Sequence, residues 1–205
     1  LCDLVFGDTS PSGKLAETFP RALNDCPAQE IFATHPRQII YREGLNVGYR
    51  HFVTHDKPVL FPFGHGLSYT TFDYSNLRVS GDTTVHALDL EVRVDITNSG
   101  PCAGAEIVQL YVRDVDASVY RPDRELKAFK KIHLAPGETT SCTLVLDRRS
   151  FAFFDINADD WVVEPGAFEI LVGASCTDIR QSTRVELPGD LRRNTPQTAE
   201  TPYVI

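Results

Sequence analysis

From residue 88 onward the chain alternates. Leu88, Leu90, Val92, Val94 and Ile96 are interleaved with Asp89, Glu91, Arg93, Asp95 and Thr97, the period of two that turns one face of a strand to a core and the other to water. Asn98, Ser99, Gly100 and Pro101 close this run with turn chemistry. Further strands are predicted over 106–113, 126–134, 141–147, 150–155, 161–164, 167–174 and 179–187, with turns at Ala135-Pro136-Gly137-Glu138 and at Glu164-Pro165-Gly166 between several of them. About seven short strands at this spacing, with no period of 3.6 between them, predict an antiparallel β-sandwich of immunoglobulin or fibronectin type III-like form over residues 73–187. No internal repeat is present.

The first 72 residues have a different grain. Residues 1–6 are apolar except for Asp3 and suit the tail of a helix ended at Gly7, after which a dense turn signal leads to a short strand over 15–20. From 20 to 58 neither period is sustained, and Pro20, Pro27, Pro36 and Pro58 punctuate the stretch. That is too long for a loop inside a compact domain, so 21–72 is expected to be an irregular connector lying across a body outside this chain. Residues 59–72 carry four aromatic and three aliphatic side chains in fourteen residues. Such a run is expected to be clamped between two packed bodies rather than left in water. Pro62 interrupts any central strand there, and Gly64 and Gly66 suit positive φ or close backbone approach. The end, 188–205, is polar and rich in Pro and Thr and reads as a loose tail.

Composition narrows the classes. At 205 residues the chain can bury one good core, or one domain and part of another. A formal charge of -8 argues against nucleic acid as a partner, since phosphate binding needs clustered Lys and Arg. No apolar run approaches the roughly 18 residues of a membrane helix, so a membrane is not an expected partner. The start, Leu1-Cys2-Asp3, has no initiator Met and no signal-peptide pattern, and the chain is expected to be a piece of something longer. Localisation is therefore left open. Five cysteines lie far apart with no Cys-x-x-Cys pair; buried free thiols are the default expectation, and disulfides stay open with the compartment.

Several polar groups invite chemistry. His65 and Ser68 are close in sequence, but a nucleophile elbow needs Gly-x-Ser-x-Gly and Ser68 is followed by Tyr69 and Thr70. Asp155, Asn157 and Asp159 start like a calcium loop, yet Asp160 stands where Gly is needed and Gly166 where a bidentate Glu is needed. His51 and His55 have the i, i+4 spacing of a metal pair on a helix, but Pro58 follows and no helical period supports a helix there. Glu43, beside Arg42 in the polar stretch 41–52, is a conceivable general acid, although a lone Glu next to an Arg is more often ion-paired or solvated. No metal, no cofactor and no catalytic residue is assigned, and substrate-binding residues are unknown at this stage.

The same residues carry a family resemblance. Gly7-Asp8, Pro11-Ser12-Gly13-Lys14-Leu15, Thr18-Phe19-Pro20, then Tyr41-x-Glu43-Gly44-x-x-Val47-Gly48-Tyr49-Arg50, then Phe61-Pro62-Phe63-Gly64-x-Gly66-Leu67-Ser68-Tyr69-Thr70-x-Phe72 resemble the C-terminal third of glycoside hydrolase family 3, the β-glucosidase group. Downstream, Gly104-Ala105-Glu106-Ile107-Val108-Gln109-Leu110-Tyr111-Val112, Glu125-Leu126-Lys127-Ala128-Phe129, Leu134-Ala135-Pro136-Gly137-Glu138 and Trp161-Val162-Val163-Glu164-Pro165-Gly166 resemble that family's fibronectin type III-like domain. The departures are modest: Ala128 where Gly is common, and Phe153-Phe154 where Trp is frequent. The resemblance implies that 1–20 are the last helix and strand of an α/β sandwich domain. It also implies a retaining hydrolase of terminal β-glucosyl residues, whose Asp nucleophile sits on a barrel and whose Glu acid/base lies upstream of Leu1, so that neither role falls on a residue of this chain. Its partners would be the missing barrel and α/β sandwich domains, with a β-glucoside or oligosaccharide as substrate of the parent. The alternative is a free-standing sandwich module that binds carbohydrate or a protein, which exposed aromatics aligned on one face would favour.

Overall fold

The computed structural model of the protein describes residues 2–29, 32, 37, 40–84 and 87–190; the greater part of the expected tail, 191–205, lies outside them. The chain opens with a short helix α1 (Cys2–Phe6), ended at Gly7 with φ 85°. Strand β1 (Phe19–Pro20) pairs antiparallel with β2 (Val59–Phe61), and helix α2 (Tyr49–Thr54) precedes the second of these. Then come β3 (Phe72–Asp82), β4 (Asp89–Asn98), β5 (Gly104–Asp114), β6 (Glu125–Leu134), β7 (Thr139–Asp147), helix α3 (Arg148–Phe151), β8 (Phe153–Asp155), β9 (Asp160–Val162), β10 (Gly166–Gly173) and β11 (Ile179–Leu187). Among the described residues no helix is long and apolar enough to cross a membrane.

The sandwich is two antiparallel sheets, β3-β4-β7 and β11-β10-β5-β6, with the small hairpin β8-β9 at one end. Alternation in β4 does what its period predicts: Leu88, Leu90, Val92, Val94 and Ile96 are all buried. They pack in one cluster with Val108, Leu110 and Val112 of β5 and Ile170 and Val172 of β10. Phe151 and Phe168 meet edge to face at 5.3 Å within it, a geometry worth somewhat more than their buried area alone. Asn98 closes one corner. It is fully buried, donates from Nδ2 to the carbonyls of Cys102 and Leu134 at 2.9 and 3.0 Å, and accepts from the Thr70 hydroxyl and the Gly100 N–H.

Two elements differ from expectation. Residues 150 and 151 are helical rather than extended, because the Asp147 carboxylate accepts from the Ser150 N–H at 3.0 Å and caps a single turn. Strand β3 has no clean alternation in sequence. Phe72 and Tyr74 face the core, then the register slips between Ser75 and Arg78, with Asn76 at φ 53°, and Leu77 and Val79 pack inward instead. A bulge flips the parity of the strand, so a strict test for period two misses it.

The core-face assignment has a direct consequence. Val92→Asp places an unpaired carboxylate in the inter-sheet layer and is expected to cost at least about 3 kcal/mol. Urea unfolding followed by Trp161 fluorescence measures it, and a midpoint equal to that of the parent would refute the assignment.

Candidate docking face and polar pocket

Strand β5 is buried on both faces. Gln109 and Tyr111 point away from the inter-sheet core and are 3% and 0% exposed, because the connector lies over this side of the sheet. Tyr49 of α2 stacks on Phe63 at 4.6 Å and meets Tyr111 edge-on at 6.1 Å. Val53, Leu126, Leu171 and Cys176 complete a second apolar cluster there. The Leu126 N–H donates to the Tyr49 hydroxyl at 2.7 Å, and the Asp123 N–H donates to the Thr54 hydroxyl at 3.0 Å. Burial holds the Tyr49 phenol above its ordinary pKa.

Gln109 is the bolt of this layer. Its Nε2 donates to the carbonyls of Gly64 at 3.1 Å and Ala174 at 2.7 Å, and its Oε1 accepts from the Tyr111 hydroxyl at 2.6 Å. The Cys176 N–H donates to the Phe63 carbonyl at 3.1 Å. Gly64 sits at φ 80°, and a Cβ there would fall 2.2 Å from Gln109 Oε1, so glycine is required twice over. Upstream, Lys14 pairs with Glu106 at 2.8 Å, and Leu15 exchanges backbone hydrogen bonds with His65 and Gly64. The connector is therefore fastened to the sandwich from Gly48 onward and at 14–15.

A half-buried charge network surrounds α2. Arg121 pairs with Asp114 at 3.2 Å and with Glu125 at 3.0 Å; Glu125 also takes Lys127 at 3.1 Å and Arg50 at 3.4 Å. Burial alone would push the Glu125 carboxyl up, but Lys127 and Arg121 outweigh it and hold it below its ordinary value. At Lys127 burial wins over the attraction of Glu125, and its ammonium sits below the usual range. Burial likewise raises Asp114 against the pull of Arg121. Both members of the pair thus titrate below their ordinary values, which favours the charged form of Glu125 and disfavours that of Lys127, because one carboxylate shares several cations.

The sequence candidates fall into distinct places. His65 stacks on Phe61 at 5.5 Å while Ser68 Oγ lies 2.9 Å from Ser10 Oγ, so each is engaged elsewhere and they form no nucleophile and base. The Asn157 N–H donates to Asp155 Oδ1 at 2.9 Å in the β8-β9 turn, and no group of three metal-ligating side chains exists among the described residues. His51 and His55, contrary to expectation, do lie on a helix: α2 spans six residues, too few to leave a period in the sequence, and Gly48 at φ 60° starts it. Their rings are 5.0 Å apart. Glu43 and His51 line one cavity of about 360 Å³ together with Arg42, Asn46, His55 and Lys57. Buried free thiols were expected, but only Cys142 and Cys176 are buried, while Cys2 is exposed. Sequence reasoning passed over Gln109 as an anchor; the signal was a non-alternating apolar run over 107–112 interrupted only by Gln109, which marks a strand covered on both faces.

One side of the connector is open. Of the twenty large apolar side chains exposed among the described residues, fourteen precede Phe72. Phe6, Tyr41 and Leu67 are at least three-quarters exposed, and Leu60, Phe61 and Tyr69 about half. The stretch expected to be clamped from two sides is covered by the sandwich on one side only. Among the described residues the sandwich aromatics form no exposed row: Tyr111, Phe151 and Phe168 are buried, the exposed Phe129 and Phe154 stand on different sheets, and the exposed Tyr120 lies between β5 and β6 with its hydroxyl donated to Asn46 Oδ1.

A sandwich with these strands, roofed by an apolar connector, defines a fibronectin type III-like module, and residues 106–176 match the family model for the fibronectin type III-like domain. Over nine-tenths of its length the chain matches the C-terminal portion of the glycoside hydrolase family 3 β-glucosidases. It is 47% identical to thermostable beta-glucosidase B of Acetivibrio thermocellus over 94% of this chain and 26% of that protein. It is 41% identical to an exo-alpha-(1->6)-L-arabinopyranosidase of Bifidobacterium breve over 93% of this chain and 25% of that one. The crystal structure of a GH3 beta-glucosidase from Bifidobacterium adolescentis superposes with a TM-score of 0.91 at 39% identity, covering 98% of this chain and 29% of that one. The chain thus spans about a quarter of the length of the curated relatives it matches.

Two outcomes test the anchoring. Gly64→Ala is expected to cost about 2–4 kcal/mol, from the positive φ and from displacing Gln109 from buried partners, and to speed tryptic cleavage after Arg50. Unchanged cleavage would disprove the bolt. Glu125, held below its ordinary 4.5, contributes stability that is present above that pH and lost as pH falls through the lower folded value. Unfolding free energies measured from pH 5 down to pH 3 should therefore decline less steeply in Glu125→Gln than in the parent.

Proposed function

We propose that this chain is the C-terminal portion of a retaining glycosidase that removes terminal β-glucosyl residues, and that it serves there as scaffold. The Asp nucleophile and the Glu acid/base lie in the missing barrel and α/β sandwich domains. The observation that carries this reading is the concentration of exposed apolar side chains ahead of Phe72 beside a closed sandwich core, the anatomy of a surface made for another body. Within that scheme, 1–20 end the α/β domain, 21–72 connect, and 73–187 close the fold.

The carboxylates of the chain support a scaffold role. Glu106, Asp114, Glu125 and Asp178 each hold an Arg or Lys, whereas retaining hydrolysis wants two carboxyls about 5 Å apart with the acid kept protonated. Similarity to this chain does not sort relatives by substrate, since an arabinopyranosidase matches it nearly as well as β-glucosidases do. Sugar choice therefore belongs to the upstream domains, and the β-glucoside assignment rests on the larger number of relatives so named.

The test is a chimera in which this chain replaces the matching quarter of the Acetivibrio thermocellus enzyme. It is expected to release nitrophenol from an aryl β-glucoside, while this chain alone releases none above the uncatalysed rate. A soluble, folded chimera without turnover, or turnover by the chain alone that vanishes in Glu43→Gln, would overturn the reading.

A further inference from the structure

Residues 10–20 and 59–69 run antiparallel and are joined along their length. Ser10 Oγ lies 2.9 Å from Ser68 Oγ and accepts from the Tyr69 N–H at 3.1 Å. The Leu15 N–H donates to the His65 carbonyl and the Gly64 N–H to the Leu15 carbonyl, both at 2.8 Å. The Phe63 N–H donates to the Thr18 hydroxyl at 3.2 Å, and Phe19 and Pro20 then pair with Phe61 and Val59. Between these bonds the two segments touch so closely that a Cβ on Gly66 would fall 2.3 Å from the Gly13 carbonyl oxygen. One further bond reaches the sandwich itself, where Lys131 Nζ donates to the Ser12 hydroxyl at 2.8 Å.

Lys14 sets the register of this run. Glu106 has the parity of Val108 and Leu110, core positions of β5, and is 7% exposed. A carboxylate at such a position has to be met by a cation and by hydrogen-bond donors. Lys14 Nζ, at 2.8 Å, is the one cation within ion-pair distance of it among the described residues, and the Ile107 N–H supplies a donor at 2.7 Å. Sliding 10–20 by one residue would put Gly13 or Leu15 in place of Lys14 and leave the Glu106 charge buried and alone. Directional bonds therefore fix both where this segment lies and which residue stands at its centre.

We propose that residues 10–20 are a strap whose binding does not depend on the covalent chain that follows it: the surface built from 59–69, Glu106 and Lys131 takes an extended segment with a lysine at its centre. The consequence for the parent rests on the reading of this chain as the C-terminal portion of a larger glycosidase. In that protein the body preceding the strap is fastened to the sandwich at the strap itself, and the covalent path through 21–47 is a second tether. Two points of attachment remove the swivel that a single flexible linker would leave.

The test is brief trypsin digestion of the folded 205-residue chain. Arg21 is exposed, whereas the Lys14 side chain is 13% exposed and paired, so cleavage after Arg21 is expected to be at least about tenfold faster than after Lys14. Fragment 1–21 should then co-elute with the rest of the protein on gel filtration and leave it only in urea. In Lys14→Met, nicked at the same bond, the fragment is expected to dissociate at least about tenfold faster. Loss of the fragment from the nicked parent, equal retention in both proteins, or cleavage after Lys14 as fast as after Arg21 would each overturn the proposal. Should Lys14→Met fail to fold, Glu106→Gln carries the comparison. The chimera separates this from the function itself: a chimera that hydrolyses while the nicked chain sheds its fragment refutes the strap alone.

Discussion

Gln109 carries its amide on the outer face of β5 at a depth water does not reach, so each of its polar atoms has to be met from protein. Gly64 and Ala174 supply the acceptors and Tyr111 the donor. Because Gly64 lies in the connector, satisfying one side chain of the sheet fixes the path of a segment 45 residues away in sequence. Phe63 is then carried onto Tyr49, α2 onto the sheet, and His51 and Glu43 into their shared pocket. Removing the connector would expose a buried amide and a buried phenol at once, which is why a β-sandwich that could close its own inter-sheet core still needs a roof.

That roof has two unlike surfaces. Its lower one packs as a protein interior does, with stacked rings and hydrogen-bonded backbone. Its upper one exposes Leu60, Phe61, Leu67 and Tyr69, although Phe63 and Gly64 of the same segment are held against the sandwich. The short pairing of β1 with β2 ties two strands of this surface together, and none of their residues is buried.

How much of this was legible depended on whether local pattern or distant contact decides the structure. The five inward positions of β4 could be read from alternation because a half-buried strand in an antiparallel sheet has no other way to arrange them. Strand β3 could not, since the bulge at Asn76 reverses its parity, and α2 could not, since six residues span less than two helical turns. The capped turn at Asp147 was missed for a smaller reason: one side-chain hydrogen bond overrode the strand propensity of the Ser150-Phe151 neighbourhood. Among the site residues, Glu43 and the His51/His55 spacing were visible as residue types, but their convergence in one cavity follows from the path imposed by Gln109, and nothing local in 41–55 announces it. The family motifs did name the fibronectin type III-like sandwich, matched over 106–176, because such motifs encode distant constraints without stating them.

The exposed apolar side chains ahead of Phe72 have a physical logic of their own. Under the scaffold reading proposed above, burying them would supply most of the favourable free energy of docking, at roughly 25 cal/mol per Å² of apolar surface, but apolar contact is tolerant of rotation and slip. On the sandwich side that tolerance is removed by directional bonds: Gln109 donates to the Gly64 and Ala174 carbonyls, and Lys14 pairs with Glu106. The exposed band is thereby presented in one fixed position, and a fixed position is what a scaffold would have to deliver.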